Sequence, residues 1–146
     1  MDPFVCIRAT LEGYLDLCSK GFRVEDLSDA EFVRLRRDLF DEIGQVYRLI
    51  KMLAAAPQAD AGRVNSYDLK DTLARWMSLR KGRPEHLSNG AVILACCHLC
   101  IPVEAVQPSS KGRTDPNALI GINPLWYDGA RTVLNESILN TSFASW

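Results

Sequence analysis

The chain has 146 residues, of which 47% are hydrophobic and 24% are charged, and its formal net charge is −1. This length and apolar content predict one domain with a hydrophobic core, and the balanced charge excludes both a polybasic nucleic-acid coat and an acidic mimic of nucleic acid. The sequence shows no secretory signal and no membrane-spanning run, and its five cysteines, an odd number, are typical of free thiols. We therefore expect a cytoplasmic protein.

Residues 1–56 are predicted to form a helical hairpin. Pro3 suits the first turn of a helix, and an apolar repeat with helical spacing continues until Gly21 stops it. A capping box that starts at Ser28 opens a second helix, in which apolar residues recur every three or four positions. We expect this second helix to run without a break to the neighbourhood of Pro57.

Residues 65–122 are predicted to form a helix-turn-helix-like centre followed by a β-hairpin, which is the order of a winged helix-turn-helix. A third helix ends at the break around Gly82, and a fourth begins after Ser88. The fourth helix is apolar on nearly all sides, which predicts a buried central helix. The runs 103–106 and 118–122 predict two short strands, separated by a turn-rich linker.

Residues 123–146 are predicted to form a C-terminal helix or tail, because Trp126 and Ala130 follow Pro124 at helical spacing. All of the chain is expected to belong to one domain. The predicted fold class is α+β and mostly helical. It comprises a helical N-terminal half, a helix-turn-helix-like centre, one small β-hairpin and a short C-terminal helix.

The first candidate site is a basic end. A hairpin that folds back along the fourth helix returns its connecting loop to the start of that helix, where the backbone amides add donors for phosphate or carboxylate. The predicted basic end consists of Arg80, Lys81, Arg83, Asn89, Lys111 and Arg113. It suits either an acidic protein surface or a nucleic-acid backbone. The alternative is an ordinary solvated turn and a loop that carries surface charges.

The second candidate site is a helix face on the long second helix. Phe40 and Tyr47, together with Val33, form an apolar seam beside the main stripe of that helix. Such a seam either faces a protein partner or packs against the first or last helix, and both interpretations stay open.

The cysteines are weak candidates for chemistry. Cys97 and Cys100 have the spacing of a zinc half-site or a redox pair, but no second pair of ligands accompanies them. They fall in the last turn of an apolar helix, which favours core cysteines and no bound metal. Walker, dinucleotide, zinc-protease and nucleophile-elbow motifs are absent from a sequence with two histidines. We therefore expect a protein that is not an enzyme and that has no cofactor.

Three short stretches of the chain form a pattern: SYDLK at 66–70, LSNGAVI at 87–93 and PNA at 116–118. This pattern resembles one found in small uncharacterised proteins of bacteria, phages and plasmids. The resemblance implies a mobile-element setting, in which small proteins without catalytic motifs often dock on a host or defence complex. It assigns no functional residue.

These observations predict a non-enzymatic protein-binding module, encoded by a phage or mobile element, that acts as an inhibitor or adaptor and docks on a host or defence complex. The alternative is a winged-helix-like nucleic-acid-binding regulator that contacts the phosphate backbone, although the fourth helix offers almost no side chain able to read bases. A metal- or thiol-dependent protein that uses Cys97 and Cys100 ranks third. The expected partner is a protein, with nucleic acid as the second choice and no membrane contact.

Overall fold

The computed structural model describes residues 2–60, 63–108 and 111–139, with side chains as far as residue 137. None of the helices in these ranges is long and apolar enough to cross a membrane. The predicted fold class, α+β and mostly helical, is confirmed. In chain order the elements are α1 (Pro3–Glu12), β1 (Leu17–Cys18), β2 (Gly21–Phe22), α2 (Asp29–Asp41), α3 (Ile43–Leu53), β3 (Val64–Asn65), α4 (Ser66–Lys81), α5 (Asn89–His98), β4 (Val103–Ala105), β5 (Ala118–Ile120) and α6 (Pro124–Leu139).

Helix α5 is the centre of the fold. Every residue from Asn89 to Cys97 is buried, and α1, α3, α4 and strands of both sheets contact the helix. The sequence requires this position because α5 carries apolar side chains on all sides, and these must be removed from water. The hydroxyl of Ser88 caps the helix by accepting a hydrogen bond from the Ala91 amide at 3.0 Å. The predicted buried central helix is confirmed.

The predicted hairpin after α5 is also confirmed. Strands β4 and β5 are antiparallel, with Val103 opposite Ile120 and Ala105 opposite Ala118. Both strands are shorter than the sequence predicts. A further strand, β3, pairs antiparallel with the other edge of β5, so that β5 is the central strand. The sequence does not reveal β3, because two residues are too few to show alternation.

The first helix ends earlier than the sequence predicts. Helix α1 stops at Glu12, and strands β1 and β2 form a small antiparallel hairpin where helix was expected. The guanidinium of Arg36 fixes this ending, because it donates to the carbonyl oxygens of Leu11, Tyr14 and Leu17 at 2.9, 2.8 and 2.7 Å. The expectation of a simple helical hairpin at the N-terminus is therefore wrong.

The long second helix is interrupted at Glu42, whose backbone angles are φ −93° and ψ 10°. Helix α2 ends one residue before it and α3 begins one residue after it. Helix α2 buries Leu35 against Cys18 beside the first hairpin and Leu39 in the main core, whereas α3 buries its stripe in the main core against α5. The prediction of one unbroken helix is wrong, because the backbone leaves helical geometry at Glu42.

The C-terminal helix α6 is present and is longer than the short helix predicted. Its start is capped by Asn123, whose Oδ1 accepts a hydrogen bond from the Trp126 amide at 3.3 Å. Helix α6 is attached to α4 through Tyr127, whose hydroxyl lies 2.9 Å from the Thr72 hydroxyl in a buried hydrogen bond. Residues 140–146 of the predicted helix or tail lie outside the described residues.

Gly90 lets the first hairpin lie directly against α5. A Cβ atom at this position would stand 1.9 Å from the carbonyl oxygen of Cys18. We expect Gly90→Ala to lower the free energy of unfolding by about 3 kcal/mol, because two backbone segments must separate. Gly44→Ala in α3 is the matched control: nothing lies within 4 Å of its Cβ position, and we expect a gain of about 0.5–1 kcal/mol. Urea denaturation measures both changes, and equal effects would contradict the expectation.

Glu42 makes stability depend on pH. Burial raises the pKa of its carboxyl, and a hydrogen bond with the Ser88 side chain opposes this by a smaller amount. Folding therefore favours the protonated carboxyl, and stability is lost as the pH rises through the folded-state pKa. We expect Glu42→Gln to match the wild type below the ordinary pKa of glutamate and to exceed its stability at neutral pH. Thermal denaturation over a pH series tests this, and a gain that does not grow with pH would count against it.

Candidate functional site

A groove runs between α3 and α4, and most of its side chains are cationic. Its volume is about 420 Å³. We call it the basic groove. Its lining residues are Arg48, Lys51, Met52, Met77, Arg80 and Lys81.

The sequence builds the basic groove from two similar triplets. In each helix the three lining residues have the spacing i, i+3 and i+4, so that each triplet shares one helix face. The methionine is the last member of the α3 triplet and the first member of the α4 triplet. The triplet of α4 occupies the last turns of the helix, where the partial negative charge of the helix C-terminus favours cations. Gly82, in the left-handed region at φ 68°, then ends α4.

The groove keeps a positive charge. Lys81 Nζ lies 3.0 Å from Glu85 Oε1, and Arg83 Nε lies 3.6 Å from the same oxygen. The hydrogen bond from Lys81 is the main reason that the pKa of Glu85 is lowered. Lys51 Nζ lies 4.5 Å from the centre of the Tyr47 ring. Glu85 contributes a single carboxylate, whereas the groove lining contains four cations.

An apolar cavity of about 240 Å³ adjoins the basic groove where α6 meets α3 and α4. Its walls include Trp76 from α4 and Trp126 and Ala130 from α6. Trp126 is 41% exposed, so its ring is accessible from solvent. The cavity shares Met52 and Arg80 with the basic groove, so the two pockets adjoin at these side chains.

The structure divides the predicted basic end between two regions. Arg80 and Lys81 line the basic groove, and Arg83 lies exposed in the turn that follows α4. Lys111 instead lines a shallow pocket beside the first hairpin, where acidic side chains also contribute. The prediction that all these cations share one end is wrong, because the loop between β4 and β5 docks beside the first hairpin. The Glu25 amide donates a hydrogen bond to the carbonyl oxygen of Arg113 in this loop at 2.7 Å.

Arg113 holds that loop in place. Its side chain is only 4% exposed. Nε donates to the carbonyl oxygen of Gln107 at 2.7 Å, Nη2 donates to that of Pro108 at 3.0 Å, and Nη1 donates to the carbonyl oxygen of Arg23 at 3.2 Å and to the carboxylate of Asp16. The guanidinium thus ties its own loop to the first hairpin. The prediction that Arg113 binds an external anion is wrong.

Asn89 also serves the fold. It is buried, and its Nδ2 donates to the carbonyl oxygen of Lys20 at 3.0 Å and to Asn117 Oδ1 at 2.9 Å. The next amide, that of Gly90, donates to the carbonyl oxygen of Ser19 at 2.9 Å. These donors are used inside the protein, which contradicts the predicted anion site at the start of α5. Asn89 and Asn117 belong to two of the stretches that carry the sequence resemblance.

The predicted helix face is largely covered. Phe40 and Tyr47 are half-buried and pack against the main core. The Tyr47 ring lies 5.5 Å from the ring of Phe4 on α1, and the guanidinium of Arg36 lies 5.6 Å from the Phe40 ring. The contact between Tyr47 and Phe4 agrees with the interpretation in which the seam packs against the first helix.

The two candidate cysteines lie in different environments. Cys97 is buried, and burial raises the pKa of its thiol to about 11. Cys100 is exposed just after α5, in the left-handed region at φ 58°. Among the side chains that the structure describes, no three His, Cys, Asp or Glu residues are grouped so that they could hold a metal ion. A raised pKa makes the Cys97 thiolate scarce at neutral pH, which disfavours nucleophilic or metal-binding roles.

The role of Arg113 can be tested by stability. We expect Arg113→Ala to lower the free energy of unfolding by about 3 kcal/mol, because it leaves the carboxylate of Asp16 and several carbonyl oxygens without their donor. Arg37→Ala on the exposed side of α2 is the control, with an expected change within about 0.5 kcal/mol. Chemical denaturation compares the two. An Arg113 variant as stable as the control would show that the guanidinium does not hold the loop.

Together, the basic groove and the apolar cavity can bind an anion that carries an apolar group. The four cations supply charge-assisted hydrogen bonds, and the tryptophans supply a surface that an apolar group can cover. Comparisons with protein-family models, with curated proteins and with solved structures found no match.

Proposed function

We propose that this protein is a non-enzymatic protein-binding module that docks an acidic segment of a partner protein in its basic groove. The observation that carries the proposal is the meeting of four cations from two helices around two methionines. The chain as a whole has a net charge of −1, so this positive charge is local. A local patch of one sign attracts a partner of the opposite sign and orients it during the encounter.

The methionines favour a protein partner. Met52 and Met77 form the apolar part of the groove lining, and methionine side chains are flexible and adapt to the shape of bound peptides. Arginine and lysine at the rim suit carboxylates, which arginine can hold with two parallel hydrogen bonds. The groove therefore offers both charge pairing and apolar contact to a peptide chain.

The sequence resemblance suggests the setting. Small proteins of phages and plasmids often dock on host or defence complexes, and we propose that this protein acts as such an inhibitor or adaptor. The basic groove would then cover an acidic segment of the target. Binding alone is sufficient for this role, since occupation of a surface blocks whatever else that surface binds.

A second candidate function is binding of a nucleic-acid backbone. The observation that favours it is the position of Trp126 beside Arg80, because proteins that bind single strands combine cations with aromatic rings on which bases stack. Base reading by α5 is not part of this candidate, because the helix is buried. This function predicts a steep loss of affinity with salt.

Charge reversal in the groove tests the proposal. The double variant Lys51→Glu and Arg80→Glu changes two exposed groove cations, and the control Arg34→Glu and Arg37→Glu makes the same charge change on exposed positions of α2. Tagged wild type and both variants are used to capture proteins from a nuclease-treated bacterial lysate. We expect a captured protein that the groove variant retains at least about tenfold less well and that the control retains like the wild type.

The same variants separate the two candidate functions. If every captured protein is retained equally by the groove variant, docking through the basic groove is wrong. If capture requires intact nucleic acid, and a labelled single-stranded oligonucleotide binds the wild type and the control but not the groove variant, the nucleic-acid function replaces the protein-binding one.

A further inference from the structure

The adjacency of the basic groove and the apolar cavity restricts what can bind. Arg80 and Met52 line both, so a bound chain that contacts Arg80 in the groove lies next to the cavity. A purely acidic segment would leave the walls of Trp76 and Trp126 in contact with water. A segment that also carries an apolar side chain would cover them.

The cavity is formed in advance. Helix α6 is fixed to α4 near its start by the buried hydrogen bond between Tyr127 and Thr72, and further along by a hydrogen bond from Arg75 Nη1 to Asn135 Oδ1 at 3.2 Å. Between these two attachments α6 presents the small side chain of Ala130 to the cavity. A larger residue there would fill the space.

The size of the cavity points to one side chain. Sites for whole small-molecule ligands typically measure about 300–1,000 Å³, and this cavity measures about 240 Å³. It is therefore suited to a single large apolar side chain that extends from a chain lying in the groove. The tryptophan walls favour an aromatic side chain, because aromatic rings gain from contact with each other beyond the area they bury.

We infer that the occupant of the basic groove is an acidic peptide segment with one large apolar anchor residue, which inserts beside Trp76 and Trp126 while carboxylates pair with the groove cations. This inference rests on the proposed function and adds the chemistry of the bound segment. Arg80 lines both the basic groove and the apolar cavity, so in this inference it lies where the acidic part of the segment meets the anchor residue.

Fluorescein-labelled peptides test the inference on the full chain. One peptide is a run of glutamates with a phenylalanine at its N-terminal end, the second has the phenylalanine at its C-terminal end, and the third has alanine at both ends. Fluorescence anisotropy gives the dissociation constants. We expect one of the phenylalanine peptides to bind at least about tenfold more tightly than the alanine peptide, as burial of a large apolar side chain provides.

A cavity-filling variant locates the anchor. Ala130→Leu should remove the advantage of the phenylalanine peptide over the alanine peptide. Val133→Leu, on an exposed position of the same helix, is the matched control and should keep the advantage. Circular dichroism establishes that each variant is folded. If Ala130→Leu fails to fold, Trp126→Ala removes a partly exposed wall of the cavity and should likewise abolish the advantage.

The outcomes distinguish the inference from the proposed function. Equal binding of all three peptides, lost in the Lys51→Glu and Arg80→Glu variant, would overturn the anchor and keep the acidic partner. An advantage that survives in folded Ala130→Leu would place the anchor elsewhere and overturn the inference. If no peptide binds, or if a labelled oligothymidine binds more tightly than every peptide, both the inference and the acidic-partner function are wrong.

Discussion

The burial of α5 on every side is the constraint on which the rest of the structure depends. A helix without a polar face is stable only when other elements cover it completely. The first hairpin covers its N-terminal end because Gly90 has no side chain to keep the two backbones apart. Arg36 and Arg113 both follow that hairpin in the sequence, and they donate hydrogen bonds to the carbonyl oxygens of Leu17 in the hairpin and of Arg23 just after it. Surfaces available for function therefore belong to the outer helices, among them the faces of α3 and α4 that form the basic groove.

Elements with local signals could be predicted from the sequence. The Ser88 cap, the uniformly apolar α5 and the turn-rich linker between β4 and β5 are each visible within a few residues. The elements that differ from prediction are set by distant contacts. Arg36 ends α1 by binding carbonyl oxygens that precede it by 19 to 25 positions. The break at Glu42 lies between α2, which packs in both apolar clusters, and α3, which packs in the main core, and no local pattern records this difference.

The candidate site was predictable in part. Arg80 and Lys81 stand out in the sequence as cations at a helix end, and they do line the groove. Arg48 and Lys51 on α3 also lie at helical spacing, but only the packing of α3 beside α4 brings these cations next to Arg80 and Lys81. Lys111 and Arg113 look alike in sequence and differ completely in the fold. The difference depends on Asp16, which lies 97 positions away from Arg113.

The contacts of Arg113 show that this chain does not use its helix-turn-helix-like order of elements in the usual way. Proteins with a helix-turn-helix and a hairpin commonly grip a duplex with the second helix of the pair. In this chain that helix is interior, and the second half of the hairpin connection is bound to the body of the protein. The helix and the arginine that would contact DNA in such a motif are both used for contacts inside this protein. The order of helices and strands therefore does not by itself make α5 available for binding, because the packing of the whole chain decides which surfaces stay exposed.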